Sequence, residues 1–95
     1  MTNEEEVAWC EGVWNMLRHG GVWAVPRSGL LFQKQSTRNA LVLTERIPHH
    51  PEMPCTPEEL REQQDEEVVE LRKRFVQVGI DVLDETKGEH DVHAD

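Results

Sequence analysis

Five basic residues, Arg18, Arg27, Lys34, Arg38 and Arg46, stand against the single acid Glu45 between positions 18 and 46. That stretch carries plus four, in a 95-residue chain whose overall charge is −9, so the remainder carries minus thirteen. Trp23 and Phe32 lie among the cations. Arginine presents phosphate with a planar fork of donors, and its guanidinium stacks on flat rings. This mixture suits a small anionic ligand of nucleotide type. Arg27-Ser28 falls in one expected turn and Arg38-Asn39 in the next, and turn residues are the ones most easily spared from packing. Trp23, Arg27, Ser28, Lys34, Arg38, Asn39 and Arg46 are therefore the candidate ligand-binding residues, the cations neutralising phosphate and Trp23 offering a stacking face. The competing reading is that the arginines pair with the protein's own acids, on its surface or between subunits.

Other chemistry finds little support. Phosphate-loop, dinucleotide, metalloprotease and nucleophile-elbow motifs are missing. Ser28 has no histidine or acid placed by sequence to activate it. His49-His50 with Cys55 matches no standard metal spacing, so no metal, cofactor or catalytic residue is expected, and the chain reads as non-enzymatic. Glu58, Glu59, Glu62, Asp65, Glu66, Glu67 and Glu70 form a solvated acidic surface or, on the alternative reading, a surface that mimics nucleic-acid charge and docks on a basic partner. The overall charge speaks against binding long nucleic acid.

The elements that must position these residues follow from periodicity and caps. Thr2-Asn3-Glu4-Glu5 opens a helix in capping-box fashion, and Gly20-Gly21 ends it. Its apolar arc, Val7, Trp9, Cys10, Val13, Trp14, Met16 and Leu17, is wider than one core face requires. Residues 22 to 34 read as a β-hairpin, with Val22–Val25 and Leu30–Phe32 flanking the turn Pro26-Arg27-Ser28-Gly29. Ala40–Ile47 is the third strand, with Leu41, Leu43 and Ile47 on one face by period two. After a proline-rich connection, Thr56-Pro57-Glu58-Glu59 starts a second helix running to about Gln77 and stopping at Gly79. Its seam is Leu60, Val68, Leu71, Phe75 and Val78. Ile80–Leu83 forms a last short strand. The expectation is an α+β fold, order α-β-β-β-α-β: a small antiparallel sheet (hairpin, third strand and short C-terminal strand) with two helices. Residues 1–83 form the single domain and 84–95 a polar, disordered tail.

A core this small leaves stability thin unless subunits share it. Val69 and Val76 on the reverse of the second helix, with Trp9 and Met16 on the first, are the expected homo-oligomer contacts. Two cysteines, Cys10 and Cys55, are too few for a disulfide framework and read as reduced thiols. No apolar run spans a bilayer and the N-terminus is acidic, so a cytoplasmic protein without membrane contact is expected.

The stretch from Gly20 to Leu30, GGVWAVPRSGL, with Leu41-Val42-Leu43-Thr44 and Gly79-Ile80-Asp81-Val82, resembles small uncharacterised accessory proteins of tailed bacteriophages over about two thirds of the chain. The resemblance implies a setting in the host cytoplasm, a role in immune evasion, and interference with host machinery by binding. Sequestering a nucleotide signal as a homo-oligomer is the leading expectation. An acidic inhibitor of a host factor is the alternative, and a small virion or assembly subunit a third.

Overall fold

The computed structural model describes residues 2–18 and 21–86. Helix α1 spans Asn3–Met16, strands β1, β2 and β3 span Val22–Val25, Leu30–Gln35 and Ala40–Arg46, helix α2 spans Pro57–Phe75, and strand β4 spans Asp81–Asp84. The element order is the expected α-β-β-β-α-β, and the fold is α+β. The strands lie in sequence order in one sheet. β1, β2 and β3 pair antiparallel through short turns, whereas β4 joins β3 in parallel, which makes the sheet mixed. The reason is the connection: a parallel neighbour needs a long crossover, usually a helix, and α2 supplies it.

Both helices start as their side chains dictate. Thr2 caps α1 by accepting from the Glu5 amide at 3.2 Å. Thr56 and Glu59 complete a capping box on α2, with Pro57 in its first turn. The Thr56 amide donates to Glu59 Oε1 at 2.9 Å and the Glu59 amide to Thr56 Oγ1 at 3.1 Å. α1 stops at Met16, ahead of the glycine pair, with the Leu17 amide bonding back to the Trp14 carbonyl. α2 passes at Phe75 into a 3-10 turn, Val76–Val78, before Gly79 takes the left-handed conformation that ends it.

One core holds the layers together. Cys10, Val13 and Leu17 of α1 and its exit meet Val68, Leu71 and Phe75 of α2 over Leu30, Phe32, Leu41, Leu43 and Val82 of the sheet. Trp9, Trp23, Phe32 and Phe75 join in ring contacts with centroids 5.7–5.9 Å apart. Such pairs add to what their buried area contributes. Cys10 and Cys55 are free thiols. Burial, and secondly the Glu6 carboxylate, push the Cys10 thiol up against the opposing influence of Arg74, so it stays protonated and packs as an apolar group.

A β-bulge decides which side chains of β3 point inward. Leu31 pairs with Glu45 and Phe32 with Leu43, which leaves Thr44 as the extra residue, its hydroxyl donating to the Leu31 carbonyl at 3.3 Å. An inserted residue reverses the facing of everything beyond it. Leu41 and Leu43 therefore share the core face as expected, but Ile47 leaves it and is 48% exposed. Arg46, opposite the buried Leu30, turns in instead. Asp84, expected to open the tail, is the last residue of β4; residues 87–95 lie outside the described residues.

Candidate functional site

Arg46 was expected to face a ligand, and the bulge delivers it to the protein's own carboxylates. Its Nη2 lies 2.6 Å from Asp84 and 2.9 Å from Asp65 on α2, and its Nε donates to Thr86 Oγ1 at 2.8 Å. The Arg46 and Asp84 side chains are 9% and 8% exposed. Thr86 also donates, through its amide and hydroxyl, to Asp84 Oδ1 at 3.0 and 2.5 Å. This structural clasp ties α2 to the ends of the parallel pair β3 and β4, with the buried Arg46 Nη1 finding no hydrogen-bond partner among the described residues.

Lys34 is engaged in the same way. Its ammonium donates to the Trp14 carbonyl at 2.8 Å and sits 4.3 Å from the centroid of the Trp14 ring. A cation on a carbonyl of the last helical turn offsets the helix dipole there. Trp23 is half-buried in the aromatic cluster, packed on Trp9, Phe32 and Phe75. Asn39 is structural: at φ 53° it closes the β2–β3 turn, its side-chain amide donates to the Gly79 carbonyl, and its own carbonyl accepts from the Asp81 amide at 3.0 Å.

Ser28 lies in a hairpin turn, yet it is 7% exposed. α2 packs against this turn through Gln64, whose buried amide donates to the carbonyls of Ser28 and Ile47 at 3.1 and 3.2 Å. Turn position alone did not spare the residue from packing. Arg27 and Arg38 are exposed, and no ion pair forms at either among the described residues. They belong to turns at opposite ends of the six-residue β2, so a strand length of about 20 Å separates them. The seven candidates are thus not brought together into one site.

The acidic surface is more continuous. Seven carboxylates of α2 lie between Glu58 and Glu70, with Arg61 the only base among them. Two of the seven meet cations among the described residues: Asp65 in the clasp, and Glu70, 3.8 Å from Lys73 on the exposed surface. The capping box holds the Glu59 carboxyl below the usual range, first through the Thr56 amide and then through the Thr56 hydroxyl. Val69 is 44% exposed between Asp65, Glu66 and Glu70. Met16 and Val76 are also exposed, whereas Trp9 is half-buried.

A groove of about 340 Å³ runs between the first hairpin turn and the flank of α2, lined by Arg27, Ser28, Gln63, Glu66, Glu67, Glu70 and Arg74. Sequence reasoning placed Arg27 and Ser28 correctly in a turn but missed that their neighbours are acids of α2. The usable signal was the stripe Gln63, Glu67, Glu70, Arg74, spaced to fall on one flank of a helix. His49 contacts the Cys55 carbonyl through Nε2 at 2.6 Å, and no group of three metal-ligating side chains gathers among the described residues. No described helix is long and apolar enough to cross a membrane. Compared with family models, curated proteins and solved structures, the chain finds no match.

Proposed function

We propose that the chain is a non-enzymatic binding protein that docks on a basic partner through the acidic surface of α2. The observation that carries this reading is the run Glu58, Glu59, Glu62, Glu66 and Glu67, whose carboxylates meet no cation of their own chain among the described residues. Unpaired like charges along one helix steer a partner of opposite sign and speed its encounter. A small anionic ligand has less support: Lys34 and Arg46 are engaged internally, Trp23 lies in the aromatic cluster, and the two open arginines stand a strand apart. The acids around Val69 favour a basic hetero-partner over a second copy, which would set like charges against each other. The phage resemblance would make that partner a host factor in the cytoplasm.

The test compares two charge reversals against an arginine-rich peptide. Glu58→Lys with Glu62→Lys and Glu66→Lys is expected to abolish binding at physiological salt. Glu4→Lys with Glu5→Lys and Glu11→Lys, the same change in charge on α1, leaves it within about twofold, and wild-type affinity falls steeply with salt. Equal losses from both triples would reduce the effect to overall charge and remove the reading. Asp65 is left untouched because it holds Arg46.

A further inference from the structure

Charges of both signs line the groove between the first hairpin turn and α2 without pairing across it. Arg27 and Arg74 share it with Glu66, Glu67 and Glu70, and no ion pair links these arginines to these glutamates among the described residues. Arg74 is steadied at 5.6 Å from the Trp9 ring centroid. Ser28, in the same lining, is 7% exposed, and its hydroxyl has no hydrogen-bond partner. Opposite charges that share a groove but stay apart leave room for something that carries both.

We propose that this groove binds a basic amino-acid group with a free carboxylate: its guanidinium or ammonium between Glu67 and Glu70, its carboxylate on Arg27. The spacing along α2 supports that orientation. Gln64 fixes the hairpin turn to α2, and Glu67 and Glu70 lie about 4.5 and 9 Å farther along the helix axis, toward Arg74. The carboxylate end therefore meets the turn, and the cationic end reaches the glutamates. Arg27 supplies the planar fork that matches a carboxylate. This site goes beyond the docking surface, and its ligand must carry an anion that a merely basic partner lacks.

A free amino acid and the C-terminus of a peptide both present this chemistry. The test is an NMR titration of the isotopically labelled full chain with four probes: L-arginine, its decarboxylated analogue agmatine, and the tripeptide Gly-Gly-Arg with a free or an amidated C-terminus. Saturable shifts are expected at the amides of Arg27, Ser28 and residues 63–74. Agmatine and the amidated peptide should bind roughly tenfold more weakly than their carboxylate counterparts, the loss of one charge-assisted contact. Tighter binding of L-arginine assigns the free amino acid, and tighter binding of Gly-Gly-Arg assigns the peptide end. Arg27→Gln is expected to erase the preference for carboxylate, and Glu67→Gln with Glu70→Gln to weaken all four probes. Equal affinity for L-arginine and agmatine, shifts spread along Glu58 and Glu62, or no saturable shift would overturn the proposal. The probe comparison on the unmodified chain stands without the variants. Failure here leaves the reversal test on Glu58, Glu62 and Glu66 intact, so the two readings fail separately.

Discussion

Arg46 and Arg38 are the same side chain eight residues from one another in sequence, one on each side of the bulge in the β3 region. Arg38 stands in an open turn. Arg46 lies behind that bulge, in contact with two carboxylates. The difference teaches that a positive stretch of sequence is not a positive surface: a single extra residue, Thr44, decides whether a cation meets solvent or the interior. The consequence for stability is large on one side and small on the other. Arg46→Met breaks the buried ion pair with Asp84 and is expected to cost about 3–5 kcal/mol, because removing one partner of a buried pair is strongly destabilising. Arg38→Gln is expected to stay within about 0.5 kcal/mol. Urea unfolding of the two variants measures the contrast, and similar losses in both would break it.

The two ends of the sheet differ in the same way at their glycines. Gly29 and Gly79 both take positive φ, 70° and 75°. A Cβ on Gly79 would meet nothing within 4 Å, whereas one on Gly29 would fall 1.9 Å from Ile47 Cγ2. The bulge is again responsible, since it sends Ile47 out of the core and over the hairpin turn, where its amide donates to the Gly29 carbonyl at 2.8 Å. Gly79→Ala is then expected to lose about 1 kcal/mol from backbone strain alone. Gly29→Ala adds overlap and is expected to lose about 3 kcal/mol. Ile47→Ala in the Gly29→Ala background should recover part of that loss, a coupling that a double-mutant cycle reads directly. Additive effects would show that the overlap is relieved by movement elsewhere.

Most of the fold was legible because local signals agree with tertiary packing. The Thr2 cap of α1, the capping box of α2, the hairpin turn and the helix seam Leu60, Val68, Leu71 and Phe75 each follow from residue types at fixed spacing. Period-two reasoning placed Ile47 with Leu41 and Leu43, and it failed there because a bulge has no mark in the local sequence. The failure passed directly to the site, since the same bulge turns Arg46 inward. Ser28 was misplaced for a second reason: whether a turn is free depends on what packs on it, and Gln64 is 36 residues away. The parallel direction of β4 was implied by the long connection through α2, a signal carried by loop length rather than by residue type.

The smallest effect concerns the start of α2, the surface on which the proposed docking rests. Glu59 closes the capping box, and the bonds from Thr56 hold its carboxyl below the ordinary glutamate range. A group whose folded pKa is depressed contributes stability that is fully present above the unfolded value and is lost as pH falls through the folded one. The cap should therefore weaken only in acid, below the usual glutamate range, and leave neutral stability unchanged. Glu59→Gln isolates this contribution, because glutamine still accepts from the Thr56 amide but does not titrate there. Urea midpoints of the two proteins, followed from neutral pH downward, are expected to differ above the glutamate range, the wild type higher, and to converge below it as the wild type falls faster. Curves that stay parallel would show that the capping carboxylate contributes nothing its neutral counterpart does not. The start of α2 would then owe its strength to Thr56 and Pro57 alone, and the first turn of the acidic surface would keep its shape whatever the charge on Glu59.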